Sequence, residues 1–400
     1  MTKGITVLLV ALACAPARPV PTLAISNVTI VDVAAGRTIP DRTVTIAGRH
    51  IVSVSDAAAT VPQGIDVVDG RGKYLMPGLW DMHVHLDSAD LPALVALGIT
   101  GARDMGGDLE ELLAWRGRIA AGDLTGPRLV IAGPALRGPR SPSDSGPWVI
   151  RWPWQGIAAV DSLAARHVDF IKIHEGILDD AYRDIAVQAK LRHLPFAGHV
   201  PAGVGVGEAA EVGQRSIEHL EFVPDACLGR FAERSPSAAP PPLPVECDET
   251  NFDWLLRVLA GHHTWLCPTI GSFRIFAPKQ FPAIFAGFKD LMPLLQAHHI
   301  DLLAGTDLGS RGIIPGVSLH DELALLVDAG LSPAEALRTA TLNPARFLGG
   351  TDSLGTIEPG KIADLVLLAA DPLADIHNTR SIVAVIRAGK VQPARPLHSP

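Results

Sequence analysis

The stretch Met76-Pro77-Gly78-Leu79-Trp80-Asp81-Met82-His83-Val84-His85 decides the fold prediction. In it, an apolar run leads into two histidines that are separated by a single residue. Alternate residues of a β-strand share a face, so a strand here would point His83 and His85 in the same direction. In α/β barrels the functional side chains lie at the C-terminal ends of the strands. The stretch therefore predicts a barrel strand that ends in two functional histidines.

Strand-like and helical runs alternate after this stretch, which is typical of an α/β protein with a parallel barrel. Leu109–Ala121 and Asp179–Arg192 are helical candidates, and Ser332-Pro333-Ala334-Glu335 combines a capping serine with an early proline. We predict a (β/α)8 TIM barrel over residues 77–350. Its predicted strands are Trp80–His85, Thr100–Arg103, Arg128–Ala132, Phe170–Ile173, Phe196–His199, Ser216–His219, Thr264–Cys267 and Leu302–Gly305.

The two ends of the chain have a different pattern. Residues 22–76 alternate apolar and polar side chains, as in Thr43-Val44-Thr45-Ile46, and glycines punctuate the runs. Residues 355–392 contain similar strand-like runs at Ala363–Leu368 and Ile382–Arg387. A period of two indicates short antiparallel strands. We predict that both ends pair into one small β-sandwich domain beside the barrel.

Composition limits the function classes. The 400 residues are 48% hydrophobic and 19% charged, which supports a large core. The net charge of −8 argues against a nucleic-acid partner, which would require a basic face. The 15 histidines are numerous enough for several to be metal ligands. The sequence does not decide whether the protein forms a homo-oligomer.

The first residues are typical of a targeting segment. Lys3 precedes the apolar run Ile5–Ala13, which is too short to span a bilayer, and small residues follow it. We predict a signal peptide over residues 1–17 and a secreted or periplasmic protein. The alternative is a membrane-anchored lipoprotein attached through Cys14.

Polar side chains lie in or just after the C-terminal ends of five of the predicted strands. Each lies at a C-terminal end, and these ends meet at one face of a barrel. A single buried histidine is more often structural than functional, but coincident histidines, a lysine and an aspartate indicate a metal site. A lysine aimed into a barrel also needs a partner or a changed charge state. The residues are His83, His85, Lys172, His199, His219 and Asp307.

These residues resemble the amidohydrolase superfamily in its binuclear, carbamylated-lysine branch. The resemblance covers almost the whole chain after residue 17 and includes Ile217-Glu218-His219, Gly305-Thr306-Asp307 and Gly355–Val366. The Ile-Lys-Ile strand around Lys172 is similar to that of prolidase-like and carboxypeptidase-like members.

The resemblance implies that these residues bind two divalent metal ions as cofactors. His83, His85 and Asp307 would hold the more buried of two divalent metal ions, and His199 and His219 the second. Lys172 would bridge both as a carbamate formed with carbon dioxide. Nitrogen and oxygen ligands without thiolate favour Zn²⁺.

The resemblance also implies a reaction. A metal-bridged hydroxide would cleave an amide C–N bond in a peptide-like or N-acyl amino acid substrate. Asp307 would take the proton and pass it to the leaving amine, which makes it the catalytic residue. Dipeptidase members commonly have a histidine after the third strand and a tyrosine after the fourth. Here Leu136–Ser143 has no histidine, and His174 and Glu175 stand near the expected tyrosine.

Substrate contacts are predicted from the loops after the strands. Arginine pairs well with carboxylates, so we expect a carboxylate-bearing small molecule as substrate. Arg103, next to Asp104, fits either a structural ion pair or a substrate contact. The predicted substrate-binding residues are Arg137, Arg140, His174 and Arg311.

Other functions remain open. The same site would cleave a lactone, an ester or a cyclic amide, and an amidohydrolase-like interaction protein without catalysis is a further alternative. A mononuclear deaminase-like site would not need Lys172. It would also require an acid after the fifth strand, where this chain has Val200-Pro201-Ala202-Gly203.

Overall fold

A computed structural model describes residues 19–58, 60–219 and 249–392. The predicted signal peptide with Cys14 lies outside the described residues and so stays a prediction. The proline-rich stretch 224–248 also lies outside them. None of the helices in the described ranges is long and apolar enough to cross a membrane.

The strands of the described residues fall into an end sheet and two central sheets. In chain order they are β1 Leu23–Asp32, β2 Arg37–Ala47, β3 His50–Asp56, β4 Asp66–Asp69, β5 Tyr74–Pro77, β6 Leu79–Val84, β7 Ile99–Asp104, β8 Arg128–Ile131, β9 Ile171–Ile173, β10 Phe196–Gly198, β11 Ser216–Glu218, β12 Trp265–Cys267, β13 Leu365–Leu368, β14 Ile382–Arg387 and β15 Lys390–Gln392.

The helices of the described ranges separate most of the central strands. They are α1 Leu91–Ala96, α2 Leu109–Ala121, α3 Pro153–Ala165, α4 Asp179–Leu191, α5 Val206–Glu211, α6 Glu249–Gly261, α7 Phe273–Phe276, α8 Phe281–Ala297, α9 Val317–Asp328, α10 Pro333–Thr339 and α11 Leu342–Phe347. Short 3₁₀ turns cover Ile270–Ser272 and Ile376–Arg380. The predicted start of α10 is confirmed, because Ser332 and Glu335 form a reciprocal capping box.

The end sheet joins strands from both ends of the chain. Its order is β15-β14-β13-β5-β1-β2-β3, and β4 pairs with β1 in addition. Side chains of the sheet itself, including Ile25, Val44 and Leu365, form a buried apolar cluster. The predicted β-sandwich is not confirmed, because the described strands of these regions form one sheet rather than two facing sheets. The domain boundaries remain predictions.

The central strands are parallel and form two sheets, β6-β7-β8 and β12-β11-β10-β9. The mixed α/β architecture is thereby confirmed, and the predicted strands match β6–β12 to within one residue at each end. A closed barrel is not established in the described residues. The predicted eighth strand, Leu302–Gly305, forms only an isolated bridge to Leu266, although Met82 N also donates to Ala304 O at 2.9 Å. This segment therefore lies between β12 and β6 without a continuous ladder.

Candidate metal centre

Six polar side chains meet at the C-terminal ends of the central strands, and we call them the floor of the site. His83 and Lys172 are fully buried, and His199 and Asp307 are exposed by only 7% and 8%. The floor consists of His83, His85, Lys172, His199, His219 and Asp307, the set predicted as metal ligands.

Three floor residues surround one point. Asp307 Oδ1 lies 3.5 Å from His83 Nε2 and 3.6 Å from His85 Nε2. The ligand atoms of these three residues all lie within 4.8 Å of one another. His85 Nδ1 donates to the Gly106 carbonyl at 2.9 Å, which leaves the lone pair of Nε2 for a ligand. His83 Nε2 is buried and has no hydrogen-bond partner among the described residues.

The other two histidines lie beside this group. The ring of His219 is centred 4.8 Å from that of His83 and 5.1 Å from that of His199. His219 Nδ1 is 2.7 Å from Thr269 Oγ1, so Thr269 fixes the orientation of the ring. The charge of Lys172 affects the pKa values of all four floor histidines and of Asp307, which places its amine among them.

The electrostatics of the floor favour neutral imidazoles. Burial, and then the charge of Lys172, lower the pKa of His199 to about 3. Burial also lowers the pKa values of His83 and His219 well below the ordinary range. The neutral ring is the form that binds metals, because its free nitrogen carries a lone pair. In contrast, burial raises the pKa of Asp307 to about 6.

Two floor residues owe the direction of their side chains to a backbone that departs from the extended conformation. His219 and Asp307 have φ values of 57° and 63°, in the left-handed region. Such values are uncommon outside glycine and occur often at functional sites. Gly309 is required nearby, because a Cβ there would lie 2.3 Å from the His85 carbonyl oxygen.

The donor set fits a divalent metal ion. Two neutral imidazole nitrogens and a carboxylate oxygen converge on one point, and two further imidazoles adjoin them, as suits Zn²⁺ or a similar ion. A second group, His83, Glu218 and Cys267, also brings ligand atoms within 4.8 Å. It is a poor ligand set, because burial raises the pKa of the Cys267 thiol and Arg103 already holds Glu218.

Sequence reasoning missed the carboxylates behind the floor. Asp81 accepts from Thr306 N at 3.1 Å and Thr306 Oγ1 at 2.7 Å, which ties β6 to the segment that carries Asp307. Asp104 accepts from Gly106 N at 3.0 Å, and Gly106 in turn holds His85. Asp81 shares a strand face with His83, so period-two spacing was the signal that could have found it.

The predicted substrate residues lie at the rim, a name we use for Arg137, Arg140, His174 and Arg311. His174 stacks on His199 with ring centroids 4.5 Å apart, and burial lowers its pKa to about 3. Arg140 is exposed, and its charge is a smaller contribution to that shift. Arg137 donates to Asp144 at 2.5 and 3.2 Å, so its guanidinium is already paired. Arg311 is exposed.

Fold and floor together define an α/β protein with a candidate histidine–carboxylate metal centre at the strand ends. Residues 278–392 match the family model described as the amidohydrolase family. A putative N-acetylgalactosamine-6-phosphate deacetylase of Escherichia coli is 32% identical over 123 residues, which cover 29% of this chain and 73% of that protein. The chain belongs to the amidohydrolase family.

Longer similarities extend over most of the chain. An adenine deaminase of Rubrobacter xylanophilus is 24% identical over 398 residues, 91% of this chain and 56% of the deaminase. The chain thus spans little more than half the length of that relative. The crystal structure of a Xaa-Pro dipeptidase with bound methionine superposes with a TM-score of 0.75 at 21% identity, covering 92% of this chain and 99% of the dipeptidase. This likeness shows a shared fold.

Proposed function

We propose that this protein is a metal-dependent hydrolase that cleaves an amide C–N bond in a peptide-like or N-acyl amino acid substrate. The observation that carries the proposal is the convergence of His83, His85 and Asp307 within 4.8 Å, with His219 and His199 beside them. The proposal includes two divalent ions, a carbamate on Lys172 and closure of the central strands into a barrel. Bound metal would polarise the carbonyl and lower the pKa of water at the site.

Asp307 is the residue best placed to move a proton. Its Oδ1 lies 3.5 Å from His83 Nε2 and 3.6 Å from His85 Nε2, and burial raises its pKa to about 6 in the metal-free chain. From this position it would take a proton from attacking water and return it to the leaving amine. Ser310 Oγ donates to Oδ2 at 3.4 Å and so restricts the rotation of the carboxylate.

Substrate orientation is assigned to the rim. Arg137 is occupied by Asp144, whereas Arg140 is exposed and lies close enough to His174 to affect its pKa. We therefore assign Arg140 to a carboxylate of the substrate, where a bidentate pair would fix the position of the scissile carbonyl.

The test combines metal analysis with a substrate screen. Purified protein is assayed on dipeptides, N-acyl amino acids and lactones before and after chelation. We expect amide hydrolysis that chelation abolishes and zinc restores. Selective turnover of lactones would shift the assignment to the ester and lactone alternative, and metal-free activity would contradict the proposal.

We also propose export from the cytoplasm, on the basis of the charged start and apolar run within residues 1–17. Fractionation of cells that express the native chain and a Cys14→Ala variant tests this. Release of both proteins in soluble form supports a cleaved signal, and membrane retention of the native chain alone supports lipidation.

A further inference from the structure

A buried ion pair lies directly behind the first histidine of the floor. Arg103, near the end of β7, and Glu218, at the end of β11, are separated by 115 residues in sequence. Their side chains are 1% and 0% exposed. Arg103 Nη2 donates to both carboxylate oxygens of Glu218 at 3.0 Å.

Further hydrogen bonds hold the pair in place. Arg103 Nη1 donates to Ser216 Oγ at 2.8 Å, and Arg103 Nε donates to the Met82 carbonyl at 2.6 Å. Ser216 Oγ donates to Glu218 in turn. Phe347 flanks the guanidinium, with its ring centre 5.0 Å from Arg103 Cζ. Because all three guanidinium nitrogens donate and Ser216 links back to Glu218, the network is held in one geometry.

Glu218 also faces His83. Its Oε2 lies 2.8 Å from His83 Nδ1. Both carboxylate oxygens of Glu218 accept from Arg103 Nη2, and Oε1 also accepts from Ser216 Oγ. The carboxylate therefore acts as an acceptor toward each of its partners, so the proton of the His83 ring is on Nδ1. The lone pair is then on Nε2, the atom that lies 3.5 Å from Asp307.

We propose that the Arg103–Glu218 pair is a positioning device that fixes the tautomer and ring angle of His83, so that Nε2 is ready to bind the metal ion. The inference rests on the proposed function insofar as it takes the floor to be a metal site. Partners of this kind typically change metal affinity by about 10-fold to 100-fold when they are removed.

The chain offers a matched control. Asp364 and Arg387 form another buried pair, with side chains 7% and 9% exposed and an Arg387 Nη1 to Asp364 Oδ1 distance of 3.0 Å. This pair lies at the end sheet, and among the described residues the hydrogen bonds of the Asp364 carboxylate go to Arg387 and to Ala388 N rather than to a floor histidine. Asp364→Asn therefore leaves a buried arginine without its anion, just as Glu218→Gln does.

The experiment is a zinc competition titration against a chromophoric chelator, together with ¹⁵N shifts of the histidine rings in metal-free protein. We expect Glu218→Gln to weaken zinc binding by roughly 10-fold to 100-fold and to change the Nδ1-protonated signal of His83. Asp364→Asn should lower thermal stability while leaving both readouts unchanged. Equal zinc affinity of Glu218→Gln and the native chain, with the same His83 tautomer, would overturn the inference.

A second variant covers the case in which Glu218→Gln does not fold. Arg103→Lys keeps the charge but loses the hydrogen bonds of the guanidinium to both oxygens of Glu218. We expect its zinc affinity to fall roughly tenfold. Unchanged affinity in this variant would also overturn the inference. Failure of the native chain to bind zinc would instead refute the proposed function, so the two failures are distinguishable.

Discussion

The floor and the rim of the site are built in different ways. His83 and Lys172 of the floor are fully buried and come from strands, and carboxylates or carbonyls behind them fix several of the rings. Arg140 and Arg311 of the rim are exposed and come from loops. Under the proposed function, the chemistry common to all substrates would be placed on rigid elements, whereas substrate selectivity would come from loops, which tolerate sequence change.

Replacing Lys172 is expected to damage the floor most. Lys172→Ala removes the proposed bridge between the metal ions, so activity should fall to the background rate. A small carboxylic acid in solution should restore part of it by taking the place of the carbamate. Kinetic assays check the loss and rescue, with the exposed Lys289→Ala as control. Mass spectrometry of active, metal-loaded protein that shows only unmodified lysine would contradict the bridging role.

Asp307→Asn should have the next largest effect. The amide has nearly the same shape but cannot carry the proton, so kcat should fall by about 10²-fold to 10⁴-fold. Steady-state kinetics measure this, and the exposed Asp352→Asn serves as control. Retention of native kcat would remove Asp307 from the proton path.

The two regions also differ in how well the sequence predicts them. The ends of parallel strands must converge, so β6, β9, β10 and β11 with their histidines and lysine could be placed from pattern alone. The orientation of His219 could not be predicted in this way. Side chains alternate between the two faces of a strand, so a regular strand would put Glu218 and His219 on opposite faces. A left-handed backbone at His219, with φ of 57°, sets its direction instead.

The partner of Arg103 was also beyond sequence reasoning. Asp104 is its neighbour in the chain, but Asp104 accepts from the backbone of Leu86 and Gly106 and does not pair with it. The true partner, Glu218, lies 115 residues away. The ion pair of Arg137 with Asp144 could not be predicted either, because it depends on the folded geometry of their loop.

A smaller effect is expected at the rim. If Arg140 binds a substrate carboxylate, amidation of that carboxylate should lower kcat/KM by about 10-fold to 100-fold, the scale of one charged hydrogen bond. Arg140→Ala should remove the difference between acid and amide. Arg118→Ala is the control, because it removes one exposed cation in the last turn of α2, outside the rim. Equal turnover of acid and amide by the native enzyme would make Arg140 an ordinary surface residue.

The smallest effect concerns a buried histidine outside the floor. His320 Nε2 is 3.0 Å from the Leu97 carbonyl, and burial lowers its pKa from 6.5 to about 4. Between these values the unfolded chain binds a proton that the folded chain does not. Stability therefore falls as the pH drops from 6.5 toward 4, by up to about 1.4 kcal/mol per pH unit from this group. Urea unfolding of zinc-free His320→Gln should show a flatter dependence, and an unchanged slope would contradict this.

The metal content of the native chain and of His199→Ala tests the central claim most directly. Both proteins are saturated with zinc and dialysed to remove unbound metal. Their zinc content is then measured by elemental mass spectrometry. We expect about two zinc ions per native chain, in line with two-metal hydrolases, and about one in a variant that stays folded by circular dichroism. A native protein that hydrolyses its substrate at full rate without bound metal would contradict the account.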